Sequence, residues 1–439
     1  MLNFFISFFT LFFFYMMNVH WSYFLLGLMA ICPFLFFLNF SGTFLSKNMF
    51  ICLDLYSFQM LVLTVLIVCF CLISSMKVLK NSTSNFFIMN FFFLTFSLLM
   101  FFSLSTFFFF FFFFESTLLP TLYIILGWGN NIERVQSGLY LFFYTLFGSM
   151  PMMMGIFYMK ILNNTLSFNF FELNYFFILL NLVFVFSFLI KMPMFFVHSW
   201  LPKAHVEAPV SGSMILAGVL LKMGGYGIYR LIYLFKYFQF FNSIWIFISI
   251  WGGILTSLIC IRQVDLKCLV AYSSVSHMAM VIMGFFVFTK VSMMSCFMLM
   301  VAHGLCSSGL FYLINVIYER SGTRSLFLNK GLMSVFPSLS MWWFILCSFN
   351  MASPPSLNLM SEIFLICSSF SWSFSLISFL MFLCFLSAVY NLFLFTSCNH
   401  GYINSNLNYF NSCYLSEFFN LFLHIFPVFL MFLKLELYF

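Results

Sequence analysis

The sequence predicts an all-α protein that crosses a membrane many times. Of its 439 residues, 64% are hydrophobic and only 6% are charged, whereas a soluble globular domain usually carries about 25% charged residues. Apolar runs recur along the whole chain, and most approach the roughly 20 residues that a membrane-spanning helix requires. The polar segments between them are short, so the sequence excludes a soluble domain and predicts one integral membrane domain over residues 1–439.

About fourteen spans can be drawn between the polar segments. They run near residues 2–17, 21–40, 51–75, 86–104, 105–126, 137–160, 175–198, 209–233, 243–261, 268–289, 292–318, 333–350 with a continuation to about 370, 373–396 and 418–437. The first run has no basic segment before it and no A-x-A cleavage site, so it predicts a span and not a signal peptide.

Prolines interrupt two of the predicted spans. Pro193 and Pro202 break the seventh span and its continuation, and Pro354 and Pro355 break the twelfth. Proline lacks a backbone N–H and leaves carbonyl groups free, which is tolerated at membrane depth only where protein or cavity water satisfies them. Broken helices are frequent at transport sites, so these interruptions indicate transport.

Six ionisable residues lie within apolar sequence at predicted membrane depth, and we call them the relay set. They are Glu115, Lys191, Lys222, His277, His303 and Glu362. A charge at the bilayer centre costs between about 2.5 and more than 10 kcal/mol, so such residues usually pair or face water. Burial favours neutral lysine, whereas a nearby carboxylate favours its charged form. The distance between two such groups can therefore control a proton, and the set predicts a proton relay.

Structural readings of the same residues remain open at this stage. Glu115 and Lys191 could lock two helices together, and a buried histidine is often a satisfied core group. The serines beside the histidines either hold bridging water or pack as small residues at helix contacts. The presence of several ionisable groups favours the relay over these readings.

Two local motifs have simpler readings than a ligand site. The KMGGYG segment, with Gly224, Gly225 and Gly227, lacks the preceding strand and the GK[ST] ending of a phosphate loop, so it predicts close helix packing. His198 and His205 lie in the polar connector HSWLPKAHVEAP. Because prolines disrupt any regular helical face there, the connector predicts an interfacial, hydrogen-bonded hinge instead of a metal site.

The remaining composition predicts no metal and no cofactor in this chain, and no nucleic acid partner. The 13 cysteines form no CxxC pair and no Cys/His cluster of the haem or iron–sulfur type. The net charge of +7 includes no run of like charges, and a basic patch would be needed for nucleic acid. The 76 phenylalanines suggest a thymine-rich organelle genome, although phenylalanine also serves as a lipid-facing filler.

Four stretches resemble one known family. They are KMPMFFVHSWLPKAHVEAPVSGSMILAGVLLKMGGYGIYR, ESTLLPTLYIILGWGNNIERVQSGLYLFFYTLFGS, RQVDLKCLVAYSSVSHMAM and VAHGLCSSGLFYLINVIYER. They are similar to subunit 4 of mitochondrial NADH:ubiquinone oxidoreductase, respiratory complex I, within its antiporter-like subunit family. The resemblance extends from Glu115 to Glu362. Two positions depart from it: Ser361 stands where the family usually has glycine, and Gly127 where relatives often have arginine.

The resemblance implies a fold of fourteen transmembrane helices with two inverted five-helix repeats, each containing a broken helix, the seventh or the twelfth. The implied division is 1–104 for N-terminal helices, 105–235 and 243–396 for the repeats, and 397–439 for a loop and last helix. It also implies the roles of the relay set. Glu115 and Lys191 match the acid–lysine pair of helices five and seven, Lys222 the lysine of helix eight, His277 and His303 the central axis, and Glu362 the terminal acid.

The function implied is proton translocation in the membrane arm of complex I, in the mitochondrial inner membrane. NADH, FMN, iron–sulfur clusters and ubiquinone would bind partner subunits. The expected partners are other membrane-arm subunits, especially antiporter-like subunits 2 and 5, together with lipids such as cardiolipin. Two alternatives are a stand-alone cation/proton antiporter subunit and a structural spacer of the membrane arm.

Overall fold

The fold is described by a computed structural model, which covers Thr10 and residues 27–28, 53–79, 83–129, 131–163, 166–168, 178–232, 239–402 and 412–438. These residues are almost entirely helical, with two isolated β-bridges. Nine helical segments in this part of the chain, with Phe107–Trp128 counted as one, are long and apolar enough to cross a membrane. The polytopic all-α prediction is thereby confirmed, whereas the first two predicted spans lie almost wholly outside the described residues.

We number the helices in chain order. They are α1 (Leu55–Ser74), α2 (Met76–Leu79), α3 (Ser84–Ser103), α4 (Phe107–Ser116), α5 (Leu118–Trp128), α6 (Arg134–Asn163), α7 (Ile178–Lys191), α8 (Trp200–Glu207), α9 (Val210–Ile215), α10 (Leu221–Arg230), α11 (Gln239–Ile261), α12 (Leu266–Val287), α13 (Lys290–Ser321), α14 (Leu332–Val335), α15 (Pro337–Asn350), α16 (Leu357–Phe370), α17 (Phe374–Asn399) and α18 (Leu415–Leu433). A π-helix, Leu216–Leu220, joins α9 to α10.

Helix α13 is the centre of the described fold. It is buried along its length and packs against α1, α9, the π-helix, α12, α15, α16 and α18. Its neighbour α12 is also almost fully buried, whereas only about a third of the residues in the most apolar part of α17 and of α18 are buried. The two central helices carry His277 and His303, so both histidines lie far from any lipid-facing surface.

The fifth predicted span is not one uninterrupted helix. It forms α4 and α5, which meet at Thr117. The physical reason is Pro120, which has no N–H to offer the carbonyl of Ser116, so the regular i to i−4 pattern fails at that turn. Glu115 therefore lies at the end of a short helix beside an irregular turn.

Interruptions are present at Pro193 and at Pro354–Pro355, as predicted, and protein groups satisfy backbone atoms at each. The prediction was wrong for Pro202, which lies in the first turn of α8, where a proline is tolerated. Helix α7 ends at Lys191, earlier than the predicted residue 198, because Pro193 cannot continue it. The indole Nε1 of Trp200 donates to the Ile190 carbonyl over 3.1 Å. At the second interruption, between α15 and α16, Asn358 Nδ2 donates to the Phe349 carbonyl over 2.7 Å.

The glycines of KMGGYG lie at close helix contacts, as predicted. A Cβ added to Gly227 would lie 2.2 Å from the Phe188 ring, and one on Gly224 would lie 2.7 Å from the Phe188 carbonyl oxygen. A Cβ on Gly225 would lie 2.6 Å from Met300 Sδ. These three positions bring α10 against α7 and α13, the helices that carry Lys191 and His303.

Candidate functional site

Lys222 and His303 form the closest side-chain contact within the relay set. Lys222 Nζ lies 3.1 Å from His303 Nδ1, and both residues are buried in the centre of the protein. The amine also donates to the Ala217 carbonyl. Ala217 belongs to the π-helix immediately before Lys222. A π-helix is rare and often marks a functional site, since its wider turn displaces carbonyl groups from the regular pattern.

His277 continues this arrangement from His303. The two imidazole rings have centroids 5.3 Å apart. His277 Nε2 lies 3.0 Å from the Tyr390 hydroxyl, which lies 3.1 Å from Ser276 Oγ. Tyr390 was not among the sequence-predicted residues, because nothing in the apolar helix α17 distinguishes it from a packing tyrosine.

Glu362 lies on the opposite side of His277 from Tyr390. Its Oε1 atom is 4.0 Å from His277 Nδ1, beyond normal hydrogen-bond distance. Neither of these two atoms has a hydrogen-bond partner among the described residues. Lys222, His303, His277 and Glu362 therefore form one buried file that runs from α10 through α13 and α12 to α16.

Lys191 and Glu115 are neighbours but not a direct ion pair. Lys191 Nζ donates to the Phe114 carbonyl over 2.5 Å and lies 3.3 Å from the centroid of the Phe114 ring. It comes no closer than 4.0 Å to the Glu115 carboxylate, although the two charges interact electrostatically. Glu115 also interacts with the Ser149 side chain. The carbonyl and the ring of Phe114 thus hold the Lys191 amine near the Glu115 carboxylate, while the amine and the carboxylate do not touch each other.

His205 contradicts the prediction of an interfacial, hydrogen-bonded hinge. It is completely buried, and neither ring nitrogen has a hydrogen-bond partner among the described residues. Its ring stacks on Phe311 with centroids 4.7 Å apart. The reason is that the connector folds into α8, which packs inward against α6 and α12. His205 consequently interacts electrostatically with Lys222 and with Lys267.

A pocket of about 370 Å³ lies beside α8 and is lined by several polar and charged side chains. Glu207 lines it, accepts a hydrogen bond from Asn131 over 3.1 Å through Oε1, and leaves Oε2 without a partner among the described residues. Lys267 donates to the Ala208 carbonyl over 3.0 Å. His205 is therefore two residues along the chain from an acid that lines the pocket, and it interacts electrostatically with Lys222 of the buried file. The sequence signal that could have identified His205 is its position between the two buried lysines, Lys191 and Lys222.

Metal-ligating side chains do not gather within the described ranges. No group of three or more His, Cys, Asp or Glu side chains there is placed to hold a metal ion. His198 and His205, which could have formed such a group, lie in different surroundings. His205 is completely buried, whereas His198 is half-buried and its ring stacks on that of Phe195.

Residues 105–389 match the family described as the transmembrane region of NADH:quinone oxidoreductase and Mrp antiporter subunits. The chain belongs to this family. It is 50% identical over 434 residues to NADH-ubiquinone oxidoreductase chain 4 of Aedes aegypti, covering 97% of this chain and 96% of that one. The corresponding protein of Ceratitis capitata is 46% identical, with 90% and 89% coverage. The resemblance to subunit 4 is confirmed.

Two solved structures share the fold of this antiporter-like family. One is respiratory complex I from Thermus thermophilus with bound NADH, with a TM-score of 0.83, 21% identity and coverage of 93% of this chain and 90% of that chain. The other is the Mrp complex from Dietzia sp., with a TM-score of 0.80, 15% identity and coverage of 94% and 88%. At these identities the likeness shows the fold alone.

Proposed function

We propose that this chain is a proton-translocating subunit in the membrane arm of respiratory complex I. The observation that carries the proposal is the buried file Lys222, His303, His277 and Glu362, within a chain 50% identical to an NADH-ubiquinone oxidoreductase chain 4. Ionisable groups at membrane depth are usually functional. Electron transfer from NADH to ubiquinone takes place in partner subunits, with NADH, FMN and iron–sulfur clusters bound there.

The proposal includes the finer architecture and the setting of the chain. It has fourteen transmembrane helices, with inverted five-helix repeats at 105–235 and 243–396 flanked by N-terminal and C-terminal helices. The protein resides in the mitochondrial inner membrane and is encoded in the organelle genome. Its neighbours are the antiporter-like subunits 2 and 5, and cardiolipin is among its lipids.

Each member of the relay set has a distinct part in this mechanism. Lys191 is the gated proton carrier and Glu115 its modulator, because moving the carboxylate towards or away from the amine changes which form is favoured. Lys222 exchanges a proton with His303 across their 3.1 Å contact. The proton passes to His277 and then to Glu362, the exit or inter-subunit acid, with water bridging the longer gaps.

His205 is an additional member of the proposed relay. Its imidazole is buried and electrostatically linked to Lys222, and neither ring nitrogen has a hydrogen-bond partner in the part of the chain that the structure describes, whereas the neighbouring Glu207 lines a pocket. An imidazole can accept a proton at one nitrogen and release it at the other. We assign His205 to proton access between that pocket and Lys222.

The experiment that tests the proposal is Lys191→Ala in the assembled complex. Protons translocated per electron should fall sharply, because alanine cannot carry a proton. Assembly and NADH oxidation should persist in detergent, where no gradient opposes electron transfer. Undiminished pumping per electron in this variant would refute the mechanism.

A stand-alone antiporter subunit is the second candidate, because the family that matches residues 105–389 includes Mrp antiporter subunits as well as those of NADH:quinone oxidoreductase. Purification separates the two functions. The complex I function requires that the chain co-purify with flavin and with NADH:quinone reductase activity. Co-purification with antiporter subunits alone would support the second candidate.

A further inference from the structure

The inner face of the C-terminal helix α18 is polar. Its buried residues include Glu417, Asn420 and His424, which are spaced to lie on one helix face. Large apolar side chains such as Phe419 and Phe422 occupy the exposed side. A polar side chain at a buried helix contact is costly unless it finds a partner, so this face needs a matching surface on the helices it contacts.

Arg320, near the end of α13, supplies the first match. Its Nη2 atom lies 2.5 Å from Glu417 Oε2, and the two side chains are only 4% and 9% exposed. Arg320 also donates to the Val316 carbonyl over 2.6 Å, and Glu417 accepts from the Tyr414 backbone N–H over 3.0 Å. Each partner is thus fixed to its own helix, and removing either one would leave a buried charge unpaired.

His424, which lies further along the same face of α18, makes the second set of contacts with neighbouring helices. Its ring centroid is 4.4 Å from that of Phe70 and 6.3 Å from that of Tyr312, and Nδ1 donates to the Asn420 carbonyl over 2.8 Å. Opposite His424, α13 carries Gly309, where an added Cβ would lie 3.4 Å from His424 Cβ. The two helices therefore approach closely at this point.

These contacts fix the register of α13, the helix that carries His303. Apolar faces can slide or rotate with little penalty, whereas a buried ion pair is lost if one helix turns by a residue or slips by a turn. His303 lies six residues before Gly309, about 9 Å along the helix. A shift of about 1 Å there would break the Lys222–His303 contact, given the narrow distance range of hydrogen bonds.

We propose that Arg320, Glu417 and His424 are positioning residues that hold α13 in the register required for proton transfer from Lys222 to His303. None of the three belongs to the relay set, and none touches it. The inference rests on the proposed function. It assigns to α18 a part in coupling electron transfer to proton translocation, in addition to that of a lipid-facing anchor.

The test is Glu417→Gln in the assembled complex, reconstituted in vesicles. We expect NADH:quinone reduction to persist, while protons translocated per electron fall about twofold or more, the usual range for such coupling changes. The ratio is measured per assembled complex, so a purely structural loss of complex would not change it. The double variant Arg320→Gln with Glu417→Gln leaves no unpaired charge and should recover part of the ratio.

The control is Phe422→Leu on the exposed side of α18, which should leave the ratio unchanged. A normal ratio in Glu417→Gln, or an equal loss in Phe422→Leu, would overturn the inference. If Glu417→Gln does not assemble, His424→Ala decides, since it removes the ring that packs on Phe70 and Tyr312; a lowered ratio there supports the inference and a normal ratio overturns it. Lys222→Ala in the same assay separates the failures: a normal ratio there refutes the proposed function itself.

Discussion

Lys191 and Lys222 differ in what surrounds their amines. Lys222 Nζ has an imidazole nitrogen within hydrogen-bond distance, whereas Lys191 Nζ faces a backbone carbonyl and an aromatic ring. A carbonyl cannot take up the proton, but an imidazole can. Lys191 is therefore suited to hold a proton until Glu115 or water moves, and Lys222 is suited to pass one on.

The first prediction at this scale concerns Tyr390. Tyr390→Phe keeps the ring but removes the hydroxyl that lies 3.0 Å from His277 Nε2. Because one hydrogen bond contributes about 0.5–1.5 kcal/mol, the proton-translocation rate should fall roughly two- to tenfold, less than in His277→Phe. Proton uptake assays on the reconstituted complex measure this, and Tyr402→Phe, at a 97% exposed tyrosine, is the control. Equal rates in the two tyrosine variants would contradict the role of the hydroxyl.

The second prediction concerns His205. His205→Phe preserves the stacking on Phe311 and removes both ring nitrogens. Assembly should be retained, while the proton-translocation rate falls by about 10²-fold or more, the usual range when a proton-transfer group is lost. The matched control is His400→Phe, because His400 is exposed at the end of α17. Unchanged translocation with normal assembly would remove His205 from the relay.

At the scale of elements, much could be predicted from sequence because the membrane restricts the choices. Apolar runs of about 20 residues become helices, since no other open structure satisfies its backbone in lipid. The prolines located both helix interruptions. The division of the fifth span at Thr117 and the π-helix before Lys222 were not predicted. Both depend on how individual carbonyls are satisfied, which apolar periodicity does not encode.

The contacts of the relay set were harder to predict than its members. Charge within apolar sequence identifies Glu115, Lys191 and Lys222 directly. Lys191 faces the Phe114 ring and does not reach the Glu115 carboxylate. This arrangement depends on the turn between α4 and α5. His205 was wrongly predicted to lie at an interface, because the helices that bury it, α6 and α12, are distant from it in sequence.

The third prediction tests the packing of α10 on α7. Gly227→Ala should destabilise the protein by about 1–3 kcal/mol, the usual cost of overpacking a core, since the added Cβ would lie 2.2 Å from the Phe188 ring. Gly127→Ala is the matched control, because nothing lies within 4 Å of its Cβ position. Thermal unfolding of the purified complex measures both. An equal loss of stability in Gly127→Ala would contradict the contact with Phe188 as the cause, because the higher helix propensity of alanine favours both variants.

On the scale of the whole molecule, the relay set is distributed across the described fold and not gathered in one cavity. Lys191 ends α7, whereas Glu362 lies on α16, and the fully buried α12 and α13 stand between them. Between Lys191 and Lys222 the described side chains form no direct hydrogen-bonded link. Transfer along this route therefore requires water or motion at that gap, which makes it the natural point of control.

The last prediction distinguishes one serial path from two independent ones. Lys191→Ala and Glu362→Gln remove groups near the two ends of the proposed route. If every proton uses both groups, the double variant should pump no worse than the more impaired single variant, because residues acting as a unit are strongly non-additive. Independent paths would instead give losses in protons per electron that add, because each path contributes its own share of the total. Protons per electron, measured for both single variants and the double variant under the same conditions, decide between these outcomes, and additive losses would refute a single lateral relay.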